Sequence, residues 1–341
     1  MNPPRFSFAN LFINKTTKNI PAMSSKETYR QLCRQEKSIP LFSQDWWLDI
    51  VCGENLWDVV LLYGKQGNIE AAMPLYIPRK GYAIMPVYTQ TLGPWMAQSA
   101  ADSKYTSLLA RQQIILGKFA ARLENLRLFQ QNFSWSVTDW LPFYWKGFTQ
   151  TTRYTYLLSG LHDTAQIWEN MSQNTRRNII RAEKKYKITV RKGIPTEEFI
   201  RIQHLTFQRQ HKAVPKGEDI LRQLIETSRR RNQGDIWGGY DENGQLHAAV
   251  FIVWQESSAY YLAGGGDPQL RQSGAHSLVM WKAIQETAAY TDHFDFEGSM
   301  IPGVERFFRE FGARQMPYFA ISKGKLNLWN RILIRISKMR Q

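Results

Sequence analysis

The chain has 341 residues, a formal net charge of +15 and two cysteines. That length predicts two ordinary domains or one large one, and the charge favours polyanionic partners: nucleic acid, anionic lipid or a phosphate-rich co-substrate. Cys33 and Cys52 exclude a disulfide framework, no Cys/His spacing suits a zinc site, and no run of about 20 apolar residues offers a bilayer-spanning helix. The expectation is a metal-free protein in a reducing, cytoplasmic setting, with peripheral attachment to the inner face of a membrane as the variant.

Residues 1–23 lack the apolar stretch of a signal peptide and read as a loose extension. The next feature is internal. YGKQGNIEAAMPLYI from Tyr63 and YDENGQLHAAVFIVW from Tyr240 share Tyr, Gly and an Ala-Ala pair at the same offsets: Tyr63/Tyr240, Gly67/Gly244, Ala71/Ala248 and Ala72/Ala249. Each predicts a β-hairpin with a polar, glycine-containing turn. Their spacing of about half the chain predicts two related domains.

Residues 103–130 place Leu108, Leu109, Ile115, Phe119 and Leu123 at helical spacing. SWSVTDW (134–140) reads as a strand and 147–158 as a connector entering another. Then come a polar, basic helix over 168–186, a helix over 218–231, and strands IWGGY, HAAVFIVW and SAYYLAG. The helix SGAHSLVMWKAIQETAAY, the strand HFDFEG, a short helix and the strand MPYFAISK complete the series. Strands alternating with helices predict a mixed α/β chain whose sheets carry helices on their faces. The divisions expected are 24–150 and 151–323, with a basic amphipathic helix over 324–341 that either docks on the domain or lies on an anionic surface.

Three stretches carry chemistry. In YYLAGGGDPQLRQSGAH a strand runs into Gly264, Gly265 and Gly266, and Ser273, an expected N-cap, opens a helix with Gly274 and Ala275. The pattern is either a phosphate cradle or a plain turn. In FDFEG, a strand from Phe294 to Glu297 puts Phe294 and Phe296 on one face and Asp295 and Glu297 on the other. Arg306 and Arg309 on the following helix are the local partners expected for those acids, in either a structural ion pair or a site where a carboxylate serves as general base. From Arg176 to Lys192, eight cations, Arg176 and Arg181 among them, stand against the single acid Glu183, which suits several phosphates.

Together these residues resemble the FemAB-like branch of the GNAT acyltransferase superfamily. The likeness rests on Tyr154-Thr155-Tyr156, on Arg176-x-Asn178-Ile179-x-x-Ala182-x-Lys184, on Phe294 to Gly298 and on Phe307 to Gly312. It extends over nearly the whole chain after residue 25. The resemblance implies two tandem GNAT-like domains, the first degenerate, and transfer of an acyl or aminoacyl group to an amine. The implied donor is an acyl-CoA or, as in the peptidoglycan branch, an aminoacyl-tRNA. The alternative is a GNAT-like module that only binds polyanions. Two positions differ from the family pattern. His276 stands where the CoA motif has a small residue, and Phe308-Arg309 where FemAB-like proteins carry a lysine. The expected roles follow. Glu297 or Asp295 acts as base. Gly264, Gly265, Arg271, Ser273, Gly274 and Ala275 hold the donor. Arg306, Arg309, Arg176 and Arg181 hold the substrates.

Overall fold

A computed structural model describes residues 24–98, 104–209 and 217–324. The extension over 1–23 and nearly all of the expected C-terminal helix lie outside the described residues. The chain divides into two compact units, one running to Arg153 and resuming at Tyr318, the other from Tyr154 to Pro317.

In the first unit, α1 (Ser25–Gln35) starts behind Ser24, whose hydroxyl accepts the N–H of Glu27. It is followed by α2 (Asp45–Cys52), β1 (Trp57–Tyr63) and β2 (Ile69–Arg79). β1 and β2 form the first hairpin, with a bulge between Leu62 and Tyr63. The turn closes through Gly67, at φ +80°, and Gly64 N–H donates to Asn68 O. β3 (Tyr82–Ile84) and β4 (Trp95–Met96) both pair with β2. After α3 (Tyr105–Leu123), β5 (Leu128–Asn132) lies parallel to β3. The strand expected over 134–140 is not there, because Ser134 and Ser136 fold into a turn and Asp139 accepts the N–H of Leu141 at the start of α4 (Leu141–Tyr144). The strand lies one segment earlier, where Leu128, Phe129 and Gln131 are buried.

The second unit holds most of β6 (Thr149–Ser159), then α5 (Thr164–Asn170), α6 (Gln173–Lys184), β7 (Thr189–Lys192), α7 (Thr196–Arg209), α8 (Glu218–Arg230), β8 (Gly234–Tyr240), β9 (Leu246–Gln255), β10 (Ser258–Gly266), α9 (Ala275–Thr287), β11 (His293–Asp295) and α10 (Pro302–Arg309). Its strand order is β6-β11-β10-β9-β8-β7. Every residue of β9 is buried, as expected of a central strand covered on both faces. The core gathers Trp237, Val250, Ile252, Val279, Met280, Phe294 and Phe296. Each such side chain contributes about 1.5–3 kcal/mol by leaving water. The chain then returns through β12 (Arg314–Lys323), whose residues Ala320–Lys323 pair antiparallel with β5 in the first unit.

The β8–β9 hairpin repeats the construction of the first. Its bulge falls between Gly239 and Tyr240. Gly244 has φ +76°, and Asp241 N–H donates to Gln245 O. The matched tyrosines, glycines and buried alanine pairs therefore hold equivalent places in two equivalent turns.

Candidate active site

β10 and β11 run parallel but pair at only two positions, Ala259 with Phe294 and Tyr260 with Asp295. β10 then continues along β9 to Gly266, with a bulge between Tyr261 and Ala263. Past Tyr260, the amides of β10 that point away from β9 have lost their neighbouring strand.

The expected strand from Phe294 to Glu297 is corrected here. β11 ends at Asp295, and Glu297 has φ +59°, the left-handed region that non-glycine residues seldom occupy. Phe294 and Phe296, with ring centroids 5.0 Å apart, are both held in the core, and the chain turns away after them. Gly298 completes the turn at φ +65°. A Cβ there would sit 2.0 Å from Tyr154 O, so no other residue follows this path.

The turn gathers the two acids. The N–H of Glu297 donates to Asp295 Oδ1 at 2.7 Å, and the Thr155 hydroxyl donates to the same oxygen. Asp295 is 1% exposed. Glu297 Oε1 is enclosed and has no hydrogen-bond partner. Burial first, and then the charge of Asp295, push the Glu297 carboxyl well above the usual carboxylate range. Burial, reinforced by Asp295 and Glu297, raises the Tyr260 phenol as well. Asp295 is thus a bonded anchor, and Glu297 is a buried carboxyl whose enclosed Oε1 nothing in the protein satisfies.

Arg306 and Arg309 do not face these acids. Four-residue spacing along α10 pairs Arg306 with Glu310 and Arg309 with Glu305, each at 2.8 Å, and both arginines are largely exposed. Arg176 is half-buried on α6; Arg181 is exposed and donates to Asn178 Oδ1.

The donor-side residues differ from expectation only in part. Gly264, Gly265 and Gly266 close β10, the strand end at which they are expected. A Cβ on Gly265 would meet Ile202 O and Thr206 Oγ1 of α7, each at 2.9 Å, and Thr206 Oγ1 accepts the N–H of Gly266. The residue capping α9 is Gly274, not Ser273. Ser273 ends a 3-10 turn over Pro268–Ser273. It is buried, with its hydroxyl accepting Ala275 N–H and meeting His247 Nδ1 at 3.0 Å. Gly274 N–H turns back to Arg271 O and Ser277 N–H to Gly274 O. The backbone of Asn178 lies so close to Gly274 that a Cβ there would be 2.6 Å from its carbonyl oxygen. Beside this helix end His276 packs edge-on to Phe307 at 5.2 Å, and Tyr261 edge-on to Phe308 at 5.8 Å. Burial, helped by Arg271, lowers His276 to about 4, so its ring is neutral near pH 7. The helix start is largely satisfied from within, and its neighbouring ring carries no charge.

The Thr155 hydroxyl, Tyr260 and the Tyr261–His276–Phe307 ring cluster were not assigned roles from sequence. Contacts between distant segments define them, and no local spacing signals such contacts. Among the described residues no group of metal-binding side chains occurs, and no helix is long and apolar enough to cross a membrane.

Residues 169–309 match the family model described as an acetyltransferase (GNAT) domain. No curated protein matches the chain. Among solved structures, FemX aligns with a TM-score of 0.62 at 11% identity over 92% of this chain and 98% of that one. L-PGS from Bacillus licheniformis aligns at 0.53 and 10% over 95% and 98%. The C-terminal domain (DUF2156) of a putative lysylphosphatidylglycerol synthetase from Agrobacterium fabrum aligns at 0.51 and 10% over 82% and 88%. The match to the GNAT acetyltransferase domain thus falls within the second unit, and the chain has the fold of FemX.

Proposed function

We propose that the second unit transfers an acyl or aminoacyl group from an activated ester to an amine, with Glu297 as the general base. The observation that carries this reading is the enclosed, unpartnered Glu297 Oε1, held beside a bonded Asp295. An amine arrives as an ammonium ion, and its positive charge favours the ionised form of Glu297. Glu297 removes one proton, and the amine nitrogen attacks the donor carbonyl. The β10 amides between Tyr261 and Gly264 that have lost the β11 partner are suited to stabilise the oxyanion. The tetrahedral intermediate then expels its alkoxide, which takes the second nitrogen proton as the amide forms, and Glu297 releases the first proton to solvent. No covalent enzyme intermediate is required.

The engaged amides at the start of α9 favour an aminoacyl ester on a carrier other than CoA. The solved relatives named above suit that reading only through their fold. Asp295 positions Glu297 through its N–H, and Arg271 stands at the exposed edge of the donor side.

The test has two arms. Glu297→Gln should abolish transfer from a charged tRNA to a small amine while circular dichroism stays unchanged; retained transfer would remove Glu297 from the role. Calorimetric titration of acetyl-CoA at moderate salt should show no saturable binding. One-to-one binding would restore the acyl-CoA reading.

A further inference from the structure

We infer that Tyr261 limits the size of the acyl group that the donor can carry. The inference rests on the transfer reading above, in which the β10 amides between Tyr261 and Gly264 hold the donor carbonyl. Whatever is bonded to that carbonyl carbon must lie along β10, so the space on the two faces of the strand decides what fits. One face is closed by backbone. Gly265 stands across from Ala249 and looks to α7. A Cβ there would sit 2.9 Å from Ile202 O of that helix, and no exchange of side chain on the helix moves that oxygen out of the way.

The other face is closed by one side chain. Tyr261 stands across from Ile252 and Gly264 across from Val250, so both look toward the core that packs under α9. Residues three apart in a regular strand face opposite ways; the bulge between Tyr261 and Ala263 is what sets these two on the same side. A Cβ on Gly264 would run into the Tyr261 hydroxyl and would lie 2.8 Å from Cε2 and Cζ of its ring. A glycine inside a strand marks the close approach of another group, and here that group is the Tyr261 ring. Phe308 backs the ring edge-on, and His276 Nε2 lies 3.5 Å from its hydroxyl. Tyr261, His276 and Phe307 are each only half-buried, so they wall an opening and do not merely fill the core. One face of the strand is thus fixed by a helix backbone, and the other is set by a single ring beside the amides.

The experiment measures single-turnover transfer to a small amine from donors that differ in acyl size. Alanyl and leucyl esters of one tRNA are compared on one carrier, and acetyl-CoA with hexanoyl-CoA on the other. The full chain should prefer the smaller acyl group about tenfold or more on whichever carrier it accepts. Tyr261→Ala should lift that preference by speeding the larger donor. Tyr261→Leu should lift part of it, and Tyr261→Phe, which keeps the ring, should retain it. A general loss of structure slows both donors alike and leaves their ratio unmoved. A full chain that takes both sizes equally, or a Tyr261→Ala variant with an unchanged ratio, would overturn the inference. A second measurement needs no chemistry. Gly264→Ala should lower Tm by several degrees in the parent chain, where the new methyl meets the ring, and far less in the Tyr261→Ala background; equal shifts would also overturn it. The two readings fail separately. A Glu297→Gln chain that still transfers, with its size preference lifted by Tyr261→Ala, would remove the base and leave the role of Tyr261 standing. Absence of transfer from every donor sinks the transfer reading and this inference with it, whereas an unchanged ratio sinks this inference alone.

Discussion

The β1–β2 and β8–β9 hairpins have the same turn, the same bulge and the same buried alanine pair, yet only the second leads to a titratable site. Counted from the turn tyrosines, Tyr82 and Ala83 stand where Ala259 and Tyr260 stand. They pair with Leu128 and Phe129 of β5 as Ala259 and Tyr260 pair with Phe294 and Asp295 of β11. Phe129 thus takes the place of Asp295, and two residues on, Gln131 takes the place of Glu297. Gln131 is 3% exposed, its Nε2 donates to Pro74 O, and its Oε1, like that of Glu297, has no partner. The scaffold enclosing an unsatisfied oxygen is common to both units. What differs is whether that oxygen belongs to a neutral amide or to a carboxyl that can take a proton.

The largest effect should come from erasing the difference. Glu297→Gln makes the second unit like the first, and transfer should fall about 10²–10⁴-fold, measured as single-turnover rate. The reverse exchange, Gln131→Glu, should create no activity. It replaces the donor to Pro74 O with a carboxylate and should cost about 1–3 kcal/mol at pH 7, read from urea unfolding, with the loss shrinking as the pH falls and the new carboxyl protonates.

A subtler test concerns protons. Because burial and Asp295 raise Glu297, the rise of kcat/KM with pH should lie above the range of an ordinary carboxylate. Asp295→Asn removes a negative charge and should move that rise to lower pH; an unmoved profile would separate Asp295 from the base. Stability has the opposite sign. A carboxyl raised in the folded state binds more protons there than in the unfolded chain, so its contribution is greatest at low pH and is lost as the pH rises through its folded value. Glu297→Gln should therefore flatten the decline of Tm with pH above the usual carboxylate range. The smallest effect should fall on the turns. Gly67→Ala and Gly244→Ala meet no neighbour but force a Cβ at φ +80° and +76°. Each should cost about 1–2 kcal/mol, and the two costs should agree; a clear inequality would break the equivalence of the hairpins.

These turns were legible in the sequence because glycine at a left-handed position leaves a local mark, and Phe294/Phe296 were legible because alternation does. The pairing of Arg306 with Glu310 and Arg309 with Glu305 was written in four-residue spacing but is easily overlooked beside two conspicuous acids. The end of β11 was not legible: Glu297 is turned left-handed by the path of Gly298 against Tyr154, a contact between segments far apart in the chain. The same holds for the ring cluster of Tyr261, His276 and Phe307, and for Asn178 lying against Gly274. Short-range pattern located the acids; long-range packing decided what they do.

The parallel pairing of β10 with β11 also bears on the order of assembly. Each hairpin closes on a tight local turn, an event of microseconds. β11 can join β10 only after the chain between them has folded into α9 and returned, a non-local closure that comes slowly. The segment carrying Asp295 and Glu297 therefore reaches its place late. During synthesis and refolding, the fully formed acid pair is a sign that the second unit is finished.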